Sequence, residues 1–250
     1  GNSVHTYSWL REFHPEDVPA LVGELQYKGL EMQFVRAATQ QGAFNASGEQ
    51  IDFHGFYHSS WFLPARHFST RVSDIPTGKL MPCNQSRMAS PQRMARTVEL
   101  WGAHDPHGID ENRTFICTAD GHWWASPACR DDVAKCVPFI TGGDGWLLEA
   151  TMQRAFAYSM PLAIAVSATW GDYLNNTREY DTMFYSWEPS THLIDFQPKM
   201  VLYPPHSAEQ FAVYDMRTMN QPSRIQNFVG KHMGSASPGV HHLVASLNMG

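Results

Sequence analysis

Apolar and polar positions along the chain change period several times, and each change predicts an element. Val4, Thr6 and Ser8 alternate with His5, Tyr7 and Trp9, which predicts a strand over 4–9. Val18, Leu21, Val22 and Leu25 then fall on one helical stripe behind Pro15-Glu16-Asp17. Proline loses nothing in a first helical turn and acids favour the positive end of the helix dipole, so a helix is predicted to run to Lys28-Gly29. Leu30, Met32 and Phe34 alternate with Glu31, Gln33 and Val35, and Ile51 to Tyr57 forms a further run, so both predict strands. The first 60 residues therefore predict β-α-β-x-β, the opening of a parallel α/β sheet.

The middle of the chain is less regular. Met88 to Leu100 predicts a helix, 112–128 is loop-rich, and Ala128 to Cys136 predicts a short helix. Val137 to Ile140 predicts a buried strand that enters the turn Thr141-Gly142-Gly143-Asp144-Gly145. A helix follows from Trp146 to Tyr158, with Leu148, Met152, Ala155 and Phe156 on one face. Leu162 to Ala168 is a near-continuous apolar run, the pattern of a strand covered on both faces. Asp181 to Trp187 and Met200 to Tyr203 predict two more strands, and 222–233 a final helix.

Composition narrows the class. Charged residues make up 17% of the 250 positions, below the roughly 25% of an average chain, while aromatics reach 12%. A disordered tail is poor in such large apolar groups and is excluded. The net charge of −6 argues against nucleic acid and anionic membrane surfaces as partners. No apolar run approaches the ~18 residues of a membrane span and the first residues do not resemble a signal peptide, so a soluble protein, or the soluble part of one, is expected.

Cys83, Cys117, Cys129 and Cys136 all lie within 54 residues, and glycosylation sequons stand at Asn45, Asn84, Asn112 and Asn175. Roughly one sequon is expected by chance among so few asparagines, so four is an excess. An even cysteine count with excess sequons predicts an extracellular or cell-surface glycoprotein with two disulfides. Three connectivities are open, of which the sequential one, Cys83–Cys117 with Cys129–Cys136, is favoured. The alternatives are four buried thiols or a zinc site, the latter lacking any Cys-x2-Cys pair.

Candidate chemistry lies in three aromatic segments. Phe56-Tyr57 leads to Trp61 and Pro64, and Phe184-Tyr185 leads to Trp187 and Pro189; each reads as a strand that ends in a Trp loop. Open α/β sheets bind ligands at such strand ends. The third segment, Gly142 to Trp146, sets an indole at a helix start. Indole faces attract a quaternary ammonium through the ring quadrupole, and backbone N–H groups of Leu147 and Leu148 at the helix start would receive a carboxylate. An aromatic box beside an anion-binding helix end suits a betaine. Tyr57 and Tyr185 are expected to line the same cleft. Core packing is the alternative for every Trp; Trp9, Trp101, Trp123, Trp124 and Trp170 are assigned to core or rim, with Trp101 and Trp124 as extra walls.

This arrangement resembles the glycine betaine/choline substrate-binding proteins of ABC transporters, in which successive Trp residues come from a strand-Trp-x-Pro segment, a Gly-Trp helix start and a Tyr-x-Trp-x-Pro segment. Trp61, Trp146 and Trp187 match these in order, although Pro64 lies one residue late and Trp123-Trp124 has no counterpart. The resemblance implies an α/β, two-lobed periplasmic-binding-protein-like (Venus flytrap) fold with a ligand cleft between lobes. Lobe 1 would hold 1–78 plus 206–250 and lobe 2 would hold 79–205, with hinges near 76–80 and 203–206. The sequons favour an extracellular eukaryotic version, a solute-binding or sensor domain for glycine betaine or a choline-like compound, with a membrane receptor or transporter module as its associate. No cofactor, catalysis or metal is expected: His104-Asp105-Pro106-His107 and His241-His242 lack a third ligand at a diagnostic spacing, and no Gly-x-Ser-x-Gly elbow occurs. The rival readings are a carbohydrate-binding module, or a glycoside hydrolase using acids such as Asp144 or Glu188.

Overall fold

A computed structural model describes residues 12, 14–16, 18–42, 47–49, 65–194 and 197–247. The strands expected over 4–9 and 51–57, together with Trp9, Asn45, Tyr57 and Trp61, lie outside the described residues. The described elements, in chain order, are β1 (Ala20–Val35), α1 (Ala37–Gln41), α2 (Pro91–Trp101), β2 (Trp124–Ala125), β3 (Val137–Thr141) and α3 (Leu148–Ala157). They continue with β4 (Leu162–Val166), α4 (Trp170–Glu179), β5 (Met183–Glu188), β6 (Lys199–Met200), α5 (Ala208–Ala212), β7 (Ser223–Val229), α6 (Met233–Ala236) and α7 (Pro238–Ser246). The class is mixed α/β. The chain divides into two compact units, a smaller one of residues up to Glu31 with Trp187–Pro189 and Gln221 onward, and a larger one of Met32–Ser186 and Ser190–Asn220.

The larger unit is built around β3 and β4, every residue of which is buried. Two-sided cover explains their unbroken apolar sequence. β4 pairs parallel with β3 and antiparallel with β2, and β3 pairs parallel with β5 on its other edge. The connections β3-α3-β4 and β4-α4-β5 step in opposite directions along the sheet. Right-handed crossovers then put α3 and α4 on opposite faces. On the α4 face, Ile140, Ala163 and Ala165 pack with Tyr173, Trp123, Leu80 and the Cys129–Cys136 pair. The other face carries an aromatic cluster, with Phe156 of α3 stacked on Trp101 at 6.3 Å and edge-on to Trp124 at 5.4 Å. Each such fully buried aromatic contributes on the order of 2–3 kcal/mol from removal of its surface from water.

α3 also carries a polar stripe. Arg154 is fully buried; it donates to Gln33 Oε1 (2.7 Å), Thr218 O (2.5 Å) and Asn220 Oδ1 (2.9 Å), and its guanidinium lies 4.5 Å from the Tyr203 ring. Gln153 donates to Thr97 Oγ1 (3.1 Å) and accepts from Met216 N–H (2.7 Å), and Tyr158 donates to Arg217 O (3.1 Å). Residues 216–220 are thus fastened by Gln153 and Arg154 of α3 and by Tyr158, which caps its end.

Two disulfides are present, Cys83–Cys117 and Cys129–Cys136, which is the sequential pairing. They fit an oxidising compartment. No helix among the described residues is long and apolar enough to cross a membrane.

Several expectations are overturned. The helix expected to run to Lys28-Gly29 does not form; residues 20–29 are instead the first part of β1, which pairs antiparallel with β7 from Ala20↔Val229 to Gly29↔Ser223. The end of β1 pairs antiparallel with β6, and with strand in place of the expected helix the β-α-β opening does not form. The expected final helix over 222–233 is instead β7 itself. In both segments the apolar spacing suits either period, and cross-strand pairing decides it. Gly23 shows why β1 tolerates a glycine, since a Cβ there would stand 3.0 Å from Ala245 O of α7. Within the same unit, Asn227 Nδ2 donates to Val244 O and Leu247 O, which fixes the end of α7 to β7. The helix expected at 128–136 reduces to one turn, Val133–Lys135, inside the loop closed by Cys129–Cys136, and the strand expected at 200–203 to Lys199–Met200.

Candidate functional site

Because β3, β4 and β5 are mutually parallel, their carboxyl ends and the starts of α3 and α4 emerge at one edge of the sheet. That edge is where open α/β sheets place ligands. β3 leaves through Gly142-Gly143-Asp144-Gly145-Trp146-Leu147 into α3, and β4 leaves through Ser167-Ala168-Thr169 into α4. Thr169 is the N-cap of α4: its Oγ1 accepts from the Asp172 N–H at 3.0 Å and donates to the Asp172 carboxylate at 2.6 Å. This cap sets Trp170 at the first helical position.

Four rings meet there. The Trp146 centroid lies 5.5 Å from Trp170, 5.7 Å from Tyr173 and 5.6 Å from Tyr185. Trp170 and Tyr173 stack at 5.2 Å, as residues three apart on a helix can. The glycine pair has a steric reason. A Cβ on Gly142 would stand 2.4 Å from the Trp146 ring, and one on Gly143 would stand 3.0 Å from it. The indole therefore lies on bare backbone.

Exposure separates surface from support. Trp170 is 46% exposed and Trp146 half-buried, whereas Tyr173 and Tyr185 are buried. The Tyr173 hydroxyl donates to Tyr185 O, joining α4 to β5, and burial holds that phenol above its ordinary pKa, so it stays a donor at neutral pH. The buried Tyr185 ring thus backs Trp146 on its protein side. Trp187 lies two residues beyond Tyr185 near the end of β5, half-buried, and belongs to the smaller unit.

The start of α3 has its own acid. Leu147 is the N-cap, left-handed at φ 50 and ψ 33, and makes no side-chain capping bond; Leu148 is buried. Glu149 in the first turn is buried and pairs with Arg87 Nη1 at 3.0 Å, while Asp144 Oδ1 accepts from the Arg87 backbone N–H at 2.6 Å. A polar cavity of about 280 Å³ adjoins the loop, with Ser86, Arg87, Arg93, Asp144 and Gly145 among its lining.

Trp101, Trp123 and Trp124 are core residues, so Trp101 and Trp124 are not extra ligand walls as expected. Trp101 of α2 and Trp124 of β2 pack against Phe156 of α3, whereas Trp123, the residue before Trp124, packs in the cluster with Tyr173 on the other face. Asp105 pairs with Arg130 through two hydrogen bonds, and no group of three or more His, Cys, Asp or Glu suits a metal ion among the described residues. The side chains of Asn84, Asn112 and Asn175 are exposed. Sequence reasoning missed Trp170 and Tyr173 as partners of Trp146; the Thr169-x-x-Asp172 capping pattern could have marked the helix that carries them. Compared with known protein families and with curated proteins, the chain matches neither.

Proposed function

We propose that this chain is an extracellular solute-binding or sensor domain that takes a small quaternary-ammonium compound, glycine betaine or choline-like, on indole faces. The observation that carries this reading is the exposed Trp170 beside half-buried Trp146 at the carboxyl ends of parallel strands, backed by two buried tyrosines. A trimethylammonium group has no hydrogen-bond donor and is recognised through ring quadrupoles, at about 0.5–2 kcal/mol per desolvated face. Trp187 and Trp61 complete the box in the arrangement that the resemblance implies, with a two-lobed Venus flytrap closing on the ligand and a membrane receptor or transporter module as associate. The two disulfides and exposed sequons support the extracellular placement.

The test is calorimetry with glycine betaine, choline, carnitine and the neutral choline isostere 3,3-dimethylbutanol, on wild type and Trp146→Ala. Binding of a cation, little binding of the isostere and a loss of about tenfold in the variant are expected. No heat with any of the three trimethylammonium compounds, or an unchanged affinity in the variant, overturns the reading. An exposed indole is also a platform for sugar rings, so binding of a gluco-oligosaccharide in place of the cations would assign the site to carbohydrate.

A further inference from the structure

Trp146 sits in the turn that joins β3 to α3. Within it the Trp146 N–H reaches Gly143 O at 3.0 Å, Thr141 Oγ1 reaches the same carbonyl at 3.4 Å, and the left-handed Leu147 has no side-chain cap. One residue outside the turn grips both of its flanks. Arg87 donates its backbone N–H to Asp144 Oδ1 at 2.6 Å, places Nε 3.7 Å from Asp144 Oδ2, and sets Nη1 3.0 Å from Glu149 Oε1. Asp144 lies two residues before Trp146 and Glu149 three after it. The Glu149 side chain is 5% exposed and that of Arg87 21%, so water competes weakly for these contacts.

The grip is itself anchored. Arg87 starts the turn Arg87–Ala89, one residue after the turn Cys83–Gln85, whose first residue is disulfide-bonded to Cys117 and donates its N–H to Gly121 O at 2.8 Å. Ser86 Oγ accepts from Met88 N–H and donates to Cys83 O, which closes the segment on itself. Arg87 therefore projects from a tied-down stretch toward the turn that carries Trp146.

We propose that Arg87 is a positioning residue for Trp146, fixing the indole by holding Asp144 and Glu149 on either side of it. The consequence for ligand affinity rests on the reading of Trp146 as a ligand wall; the positioning itself does not. A planar guanidinium serves two carboxylates at once, whereas a lysine ammonium is a single point charge on a flexible stem.

The experiment follows the Trp146 indole Nε1–H resonance in nitrogen-15-labelled protein, assigned by its disappearance in Trp146→Phe. Tetramethylammonium affinity and thermal unfolding are measured on the same samples of wild type, Arg87→Met, Arg87→Lys, Asp144→Asn and the surface control Lys135→Gln. In Arg87→Met the indole resonance is expected to shift or broaden and the affinity to fall about tenfold or more. Arg87→Lys should fall between, and Lys135→Gln should match wild type. An unmoved resonance in folded Arg87→Met overturns the proposal; if that variant does not fold, an unmoved resonance in Asp144→Asn does so. Weakened affinity with an unmoved resonance also overturns it. A moved resonance with no tetramethylammonium binding even in wild type leaves the positioning role standing and removes the cation reading.

Discussion

Arg154→Met tests whether a buried charge without a counter-charge stabilises this fold. Among the described residues no carboxylate pairs with Arg154; its partners are the neutral acceptors of Gln33, Thr218 and Asn220, the Tyr203 ring, and nothing for Nε. Burial pulls its pKa down to about 10, which still leaves it charged at neutral pH. Methionine matches the unbranched stem and removes the charge. Three buried acceptors then lose their donor, at about 1–3 kcal/mol each. Regained freedom from desolvating a charge, worth several kcal/mol, offsets part of this. The side chains of Gln33 and Asn220 can turn toward other donors, but the Thr218 carbonyl cannot, so a net loss of about 3 kcal/mol is expected. For a chain of this size that lowers Tm by about 6–12 °C. Thermal and urea unfolding measure it, and hydrogen exchange should show 216–220 loosening before α3 does. A variant as stable as wild type, or more so, would refute the reasoning and show that desolvation outweighs the bonds.

Two other outcomes follow from the same structure. Replacing both Cys83 and Cys117 by serine opens a link spanning 34 residues, and chain entropy gives a loss of about 4 kcal/mol at 25 °C, visible as a lower urea midpoint than wild type; an unchanged midpoint would contradict it. The carboxyls of Glu99, Asp110 and Glu179 are held below their ordinary pKa, by a hydrogen bond from Arg96, by the backbone N–H and hydroxyl of Thr114, and by Lys79 respectively. Folded values below unfolded ones contribute stability that is fully present above about pH 5 and is lost as pH falls through the depressed values, so acid unfolding curves should steepen below about pH 4 and NMR titration should find these three midpoints low.

The parts of the fold legible in the sequence are those where one period was forced. Leu162 to Val166 has no polar residue to orient, so only a doubly covered strand accommodates it, and α3 keeps a clean apolar face. Residues 18–29 were not legible because Leu21, Val22 and Leu25 satisfy helical spacing, while the pairing with β7 that decides the matter lies some 200 residues away. Nor was α4: Gly171, Asn175 and Asn176 weaken its apolar stripe, leaving the Thr169–Asp172 cap as the signal. The candidate site was legible at Trp146, where glycines precede an indole at a helix start. Trp170, Tyr173 and Arg87 reach it only through tertiary contacts, across separations that periodicity does not register.

The Cys129–Cys136 bond has a consequence for the order of events during maturation. Both sulfurs belong to residues sealed beneath α4 and the sheet, with Cys136 at 0% exposure and Cys129 at 4%. An oxidant cannot reach them once that layer has closed. Oxidation must therefore precede burial, which the short span of 7 residues favours because the two thiols meet often in an open chain. A chain synthesised in a reducing compartment and oxidised afterwards would lock two thiols inside a closed core, whereas one oxidised as it emerges would carry a bond that reductants in its surroundings no longer touch.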